Sequence, residues 1–260
     1  MQVLTPRVDF EAFVESIGRA PSRVLMLDYD GTLAPFHLRP DLAVPYPEVA
    51  AVLEEILEAG GTRVVIVCGR PADELPPLLR LTTRPEIWGS HGWERLLPDG
   101  RRVLEEPGSD ARQALHAAAA ATEAMMPPAA RLERKLASIA LHWRGLPQEV
   151  SSGLADQARA LWEQRAGELE ILPFEEGLEL RARGCNKQFA VKAVLSETAQ
   201  GAVAAYLGDD VTDEDAFRAI KSRGLGVLVR AEFRKTEADV WLTPPQELMT
   251  FMKHWCVQGV

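Results

Sequence analysis

The sequence predicts an α/β protein: a doubly wound, Rossmann-like parallel sheet with a smaller α+β domain inserted into it. Three observations predict this. Short apolar runs at 24–27, 63–67 and 203–208 each stop at a polar or glycine-bearing break, as strands buried on both faces do. Stretches of helical periodicity alternate with them, giving the strand, helix, strand order of a parallel sheet. From about 107 to 183 that alternation gives way to helix, strand, strand, helix, strand, strand. The expected division is therefore 1–106 with 184–260 as the core, and 107–183 as the insert. At 260 residues and 47% hydrophobic content, the chain has enough apolar surface for one large domain or two smaller ones.

Taken in order, Phe10, Phe13, Val14 and Ile17 recur at loose helical spacing before Pro21. The first core strand, 24–27, runs into Asp28-Tyr29-Asp30-Gly31-Thr32. Positions two apart on a strand share a face, so Asp28 and Asp30 are expected to project together from its end. Ligands of open α/β sheets bind at the carboxyl ends of the strands, and Gly31 permits a turn or a close backbone approach there. Pro35, Pro40, Pro45 and Pro47 mark a loop. A helix through Val49, Val52, Leu53, Ile56 and Leu57 follows, closed by Gly60-Gly61. Strand 63–67 ends at Cys68-Gly69-Arg70-Pro71, and a third strand, 86–88, ends at Gly89-Ser90-His91-Gly92-Trp93-Glu94.

The insert opens with an alanine-rich helix from Ser109 to about Met126, with Ser109 or Asp110 as its N-cap. Strands are expected at 130–135 and 136–143. In the second, Ile139, Leu141 and Trp143 alternate with Ser138, Ala140 and His142, so one face is apolar and the other can meet water or a ligand. A helix at 149–165 and strands at 169–173 and 177–181 complete the insert. Back in the core, Gly184-Cys185-Asn186-Lys187 opens a helix through Phe189, Val191, Val194 and Leu195. Strand 203–208 ends at Asp209-Asp210-Val211-Thr212-Asp213-Glu214-Asp215, where Asp213 to Asp215 also suit a helix start. Strands at 226–229 and 238–242 and a helix from Pro245 to about Trp255 finish the chain.

These breaks carry a resemblance. Asp28-x-Asp30-Gly31-Thr32, Lys187 and Gly208-Asp209-Asp210-x-x-Asp213 resemble the first, third and fourth motifs of the haloacid dehalogenase superfamily, in order. Gly89-x-His91-Gly92-x-Glu94 and Glu133-x-Lys135-x-x-Ser138, followed by His142-Trp143-Arg144, resemble the trehalose-6-phosphate phosphatase family more narrowly. The chain departs from that pattern at Cys68, where a serine is usual before Gly-Arg, at Trp143 for tyrosine, at Ala182 for proline and at Gln188 for glycine. A thiol is a weaker donor than a hydroxyl, and a small buried cysteine without a role fits Cys68 equally well.

The resemblance implies a phosphoric monoester hydrolase that releases phosphate from trehalose 6-phosphate. Asp28 would be the nucleophile, Asp30 the acid and base, and Lys187 the counter-charge. Cys68, Gly69 and Lys187 would hold the phosphoryl group. Arg70, His91, Glu133, Lys135, His142 and Glu179 would contact the sugar, with the insert acting as a cap. Asp28, Asp30, Asp209, Asp210 and Asp213 would hold a metal. Carboxylates gathered at about 4 Å repel by about 4 kcal/mol per pair at an effective dielectric of about 20, so a cation is required, and oxygen ligands beside a phosphate favour Mg2+. Other sugar-phosphate enzymes of the superfamily, acting on sucrose phosphate, mannosyl-3-phosphoglycerate or phosphomannose, share the catalytic motifs. A non-catalytic sugar-phosphate sensor on the same fold is an alternative of another class.

The charge balance limits the partners. With 29 Lys and Arg against 38 Asp and Glu, the formal charge is −9, which disfavours nucleic acid and anionic membranes. Cys68, Cys185 and Cys256 are odd in number and lack metal-ligand spacing, so a reducing compartment is expected. No leader-like segment or membrane-length apolar run is visible, and the expectation is a cytoplasmic protein with a small-molecule sugar phosphate as partner. Oligomeric state is left open, and a monomer is compatible.

Overall fold

The computed structural model describes every residue except Arg7, Leu38, Arg165, Ala166, Glu175, Cys185, Gly259 and Val260. The end of the helix expected to reach Arg165, and Cys185, lie outside the described residues. Two compact units are present, Met1–Val103 with Asn186–Val260, and Leu104–Cys185.

The first unit is built on strands β1 (Gln2–Val3), β2 (Arg23–Leu27), β3 (Arg63–Val67), β4 (Glu86–Gly89), β5 (Glu94–Leu96) and β6 (Arg102–Leu104). After the insert it continues with β11 (Val203–Gly208), β12 (Leu225–Val229) and β13 (Val240–Leu242). They form one sheet in the order β1-β13-β12-β11-β2-β3-β4-β5-β6. The six strands from β13 to β4 run parallel, and β1 and β5 pair antiparallel to their neighbours. Those short edge strands have too few residues to show a period, so the sequence gives no sign of them.

Helices α1 (Phe10–Arg19), α2 (Pro47–Ala59), α3 (Leu75–Leu79), α6 (Lys187–Ser196), α7 (Glu214–Ile220) and α8 (Gln246–Lys253) belong to this unit. Successive residues of β2 point to opposite sides. Leu25 and Leu27 join a core with Leu53 and Ile56 of α2 and Phe251 of α8, while Val24 and Met26 join Val191 and Val194 of α6 and Phe217 of α7. The sheet is thus covered on both faces, which is why its strands read as unbroken apolar runs. Chain order reverses between β2 and β11, which pair from Val203↔Arg23 to Leu207↔Leu27. That reversal point is where open α/β sheets bind their ligands.

The second unit contains α4 (Ser109–Met125), β7 (Arg131–Arg134), β8 (Ser138–His142), α5 (Gln148–Glu163), β9 (Leu169–Phe174) and β10 (Gly177–Ala182). Its antiparallel sheet runs β7-β8-β10-β9. Buried Ile139, Leu141, Leu178 and Leu180 face one side of this sheet, and in β8 and β10 they alternate with Ser138, Ala140, His142, Glu179 and Arg181 on the other. In the helical layer the Trp162 indole of α5 donates to Thr122 Oγ1 of α4 at 2.9 Å, satisfying two buried polar groups. The N-cap of α4 is Gly108 rather than Ser109 or Asp110, and it makes no side-chain bond. Ser109 Oγ instead donates to Asp110 Oδ1 at 3.0 Å.

Candidate active site

β2 and β11 deliver Asp28 and Asp209 side by side. The Asp28 amide continues the parallel ladder by donating to Leu207 O at 2.8 Å. Lys187, the first residue of α6, reaches the same point because Asn186 caps that helix, accepting from Phe189 N at 2.9 Å. Lys187 Nζ donates to Asp28 Oδ1 and to Asp213 Oδ1, at 2.7 Å each, and all three residues are buried.

Carboxylate oxygens of Asp28, Asp209 and Asp213 lie within 4.8 Å of one another. They are not equivalent. Asp213 accepts from Lys187 Nζ and the Tyr206 hydroxyl (2.5 Å) at Oδ1, and from the amides of Asp209 (3.1 Å) and Asp210 (3.0 Å) at Oδ2. Four donors fill the capacity of one carboxylate. Asp209 is the opposite case: its buried Oδ1 has no hydrogen-bond partner among the described residues. Gly31, at φ +88°, allows that carboxylate to sit where it does, since a Cβ there would fall 2.1 Å from Asp209 Oδ2.

The electrostatics match. Burial pushes Asp28 up to about 7, with Lys187 pulling it down and Asp213 and Asp30 adding to the rise. Burial, then the charges of Asp28 and Asp213, hold Asp209 well above the usual carboxylate range. Lys187 stays charged: burial alone would lower it, but Asp213 and Asp28 outweigh that and raise it. One lysine faces three acids, and an oxygen atom is left bare. An all-oxygen donor set of this kind fits a hard divalent cation.

Asp30 and Asp210 do not join this group. β2 has ended before residue 28, so the facing rule for a strand no longer applies, and the chain is already turning, with Leu33 N bonded to Tyr29 O and Gly31 N to Ala34 O. Asp30 is instead gripped by Arg70, whose Nε and Nη2 donate to Oδ2 and Oδ1 at 2.6 Å each. Arg70 Nη1 also donates to Pro40 O at 2.9 Å, and its guanidinium lies 5.6 Å from the Tyr29 ring centroid. Arg70, expected on the sugar, is thus an ion-pair partner here. The Asp210 side chain accepts from the Asp213 amide in a capping box that starts the 3-10 turn Val211–Asp213.

Cys68 continues β3, its amide donating to Trp88 O at 2.9 Å, and its thiol turns to Arg70 O at 3.5 Å. Burial, reinforced by Asp28 and Asp30, pushes that thiol up to about 12, so it is neutral. His91 takes a left-handed conformation (φ 59°) between Ser90 and Gly92. Its ring fills the space over Gly69, where a Cβ would come within 2.7 Å of His91 Cε1. The two breaks after β3 and β4 are locked together by Ser90 N on Arg70 O (2.7 Å) and His91 N on Cys68 O (2.9 Å).

In the second unit Glu133, Ala140 and Glu179 stand in one row across β7, β8 and β10. His142 Nε2 lies 3.0 Å from Glu133 Oε2, while Lys135 Nζ (3.3 Å) and Ser138 Oγ (2.7 Å) donate to Glu179 Oε1. The four residues of this unit expected to meet the sugar, Glu133, Lys135, His142 and Glu179, therefore share one sheet face. Phe174 lies across the same face, 5.1 Å from the His142 ring, over Gly177, whose Cβ would collide with it at 2.0 Å. The sequence reading missed Phe174; Gly177 paired with it is the only signal.

Glu133 is held down to about 2: burial alone would raise it, but the His142 hydrogen bond and Lys135 outweigh that. A carboxylate lowered on folding stabilises the native state above its ordinary value of 4.5, and that contribution is lost as pH falls from there towards 2. His142→Ala is expected to flatten this part of the acid dependence, read as the urea midpoint between about pH 5 and pH 2. A variant whose midpoint falls with acid as steeply as the parent's would show that the pair carries none of it.

The sheet order and the acid cluster at its reversal point define a doubly wound α/β fold with a buried carboxylate site at the carboxyl ends of its parallel strands. The chain superposes on a haloacid dehalogenase-like hydrolase from B. subtilis with a TM-score of 0.61 at 15% identity, covering 89% of this chain and 99% of that one. It superposes on the C-terminal domain of C. albicans trehalose-6-phosphate phosphatase with a TM-score of 0.82 at 18% identity, covering 98% and 99%. A trehalose-phosphatase family model matches residues 26–242, and the chain belongs to that family. A trehalose-phosphate phosphatase of Mycobacterium marinum is 31% identical over 231 residues, 84% of this chain but 57% of the relative's length. Among the described residues no helix is long and apolar enough to cross a membrane.

Proposed function

We propose that this chain hydrolyses trehalose 6-phosphate to trehalose and phosphate, with Asp28 as nucleophile and Mg2+ as its metal. The observation that carries the reading is the convergence of Asp28, Asp209 and Lys187 at the reversal point of the sheet. The substrate follows from the family and from the names of its relatives.

The metal would be held by Asp28 and by Asp209, whose Oδ1 has no hydrogen-bond partner among the described residues, while Asp213 serves as the backing charge of Lys187. When bound, Mg2+ supplies positive charge against the oxygens of the phosphoryl group. Asp28 attacks phosphorus and forms an aspartyl phosphate as the sugar oxygen leaves; Lys187 is already in place against the charge that builds there. Asp30 gives a proton to the departing sugar and then takes one from the water that cleaves the acyl phosphate. The Arg70 fork takes one acceptor site on each Asp30 oxygen and holds the carboxyl group in place, leaving a second site on each oxygen for the proton it transfers. The second unit, through Glu133, Lys135, His142 and Glu179, acts as the cap that chooses the sugar. A small-molecule sugar phosphate is the only partner this reading needs.

The test is phosphate release with Mg2+ across trehalose 6-phosphate, sucrose 6-phosphate, mannosyl-3-phosphoglycerate and mannose phosphates. The highest kcat/KM is expected on trehalose 6-phosphate. A higher value on another sugar would replace the substrate, and no turnover on any, with binding retained, would make the chain a sensor.

A further inference from the structure

We infer that Arg234 is a positioning residue for the metal site, fixing the main chain that carries Asp209. The inference rests on Asp209 being a metal ligand. Asp209 has an unusual problem: its carboxylate must stay free for a cation, so hydrogen bonds to its own oxygens cannot hold it. Among the described residues Oδ1 has no hydrogen-bond partner, and the nearest cation to Oδ2 is Arg230 Nη1 at 4.0 Å. Its placement must come from the backbone.

Arg234 supplies that restraint from 25 residues away. Its Nε donates to Asp209 O at 3.0 Å and its Nη2 to Asp210 O at 2.5 Å, so one planar fork spans two successive carbonyls of the loop. Nη1 is anchored by Glu214 Oε1 and by Lys235 O at 3.0 Å. Glu214, the first residue of α7, also accepts from Thr236 Oγ1 at 2.8 Å and Glu237 N at 2.7 Å. The segment 234–237 is therefore strapped across the loop, and from the other side Asp213 Oδ2 holds the amides of Asp209 and Asp210. Carbonyls are gripped from one side and amides from the other, and no ligand oxygen is consumed. An ammonium cannot copy a fork over two carbonyls, so Arg234→Lys keeps the charge and loses the geometry.

The experiment measures Mn2+ binding to Arg234→Ala, Arg234→Lys and Asp209→Asn by the EPR signal of the free ion, with the melting temperature of each metal-free protein. Partners that orient metal ligands typically change affinity by 10–100-fold when removed, so Arg234→Ala is expected to weaken Mn2+ about tenfold and Arg234→Lys to recover less than half of that loss on a logarithmic scale. KM for the sugar phosphate at saturating metal is expected to stay within about twofold and the melting temperature to stay near the parent's, so that the loss is confined to the metal. Should Arg234→Ala fail to fold, Arg234→Lys carries the same reading. Parental Mn2+ affinity in the folded Arg234 variants, with Asp209→Asn losing the ion, overturns the positioning role alone. Retention of the ion by Asp209→Asn overturns the metal assignment beneath it.

Discussion

Asp28→Asn is expected to abolish phosphate release, by a factor of about 10^4 or more, without unfolding the protein. Uncatalysed monoester hydrolysis is so slow that enzymes of this kind reach enhancements of up to about 10^21, and an amide cannot form the covalent intermediate through which that gain is made. The same substitution has a second, opposite readout. Burial pushes Asp28 up to about 7, above its ordinary value of 3.8. The native state then binds more protons than the unfolded chain between those values, so the ionised carboxylate works against folding at neutral pH and above. Asparagine keeps an acceptor for Lys187 Nζ and removes the charge. The metal-free variant is therefore expected to melt no lower than the parent at pH 8, while the parent gains stability on going from pH 8 towards pH 5 through this group and the variant does not. Phosphate release above about one thousandth of the parental rate would remove Asp28 as the nucleophile.

The two Asp28 effects explain why this part of the molecule was legible in the sequence. A carboxylate set directly after four apolar residues is costly to bury, and such a pattern persists only where function requires it. Runs 24–27 and 203–208 gave both strands and, with motif order, placed Asp28 and Asp209 at one end of the sheet. What the sequence could not show were contacts made by residues with no local period. Arg70 meets Asp30 across 40 positions, Arg234 meets Asp209 O across 25, and Tyr206 spends its hydroxyl on Asp213 from inside a strand that reads simply as apolar. Asp30 stands apart from the three buried acids for a definable reason: pleat alternation does not extend past the end of β2, where the chain turns. The N-cap of α4 failed likewise, because Gly108 begins the helix by backbone conformation alone while Ser109, the better capping residue, lies one position too late. In the insert, alternation in β8 was a sound guide, since Ser138, Ala140 and His142 do share the polar face.

Lys187→Met should be the most damaging single change to stability, with a large loss of rate beside it. The lysine is buried with its ammonium 2.7 Å from each of two acids, and no other described cation lies that close to either carboxylate. Removing one member of a buried ion pair typically costs 3–5 kcal/mol, because the charges left behind have lost their compensation. Loss of a preorganised charge-stabilising donor typically costs about 10^2–10^3 in turnover, and loss of a full positive charge in a water-poor site belongs at or above the upper end. The size of the pH response separates this from simple loss of packing, which would leave the parent's response unchanged. With Lys187 gone, Asp28 rises further above its unfolded value, so the native state takes up more protons than the unfolded chain and the variant grows more stable as pH falls from 8 towards 5. Mg2+ is expected to raise the melting temperature of the variant more than that of the parent, since the ion now answers a larger uncompensated charge, yet to leave turnover low because the lysine's position against the phosphoryl oxygens is empty. Urea unfolding at the two pH values, with and without Mg2+, reads all of this. A variant with parental stability and no pH dependence would mean that Asp28 and Asp213 are neutralised by something other than Lys187, and the electrostatic account of the site would have to be rebuilt around that group.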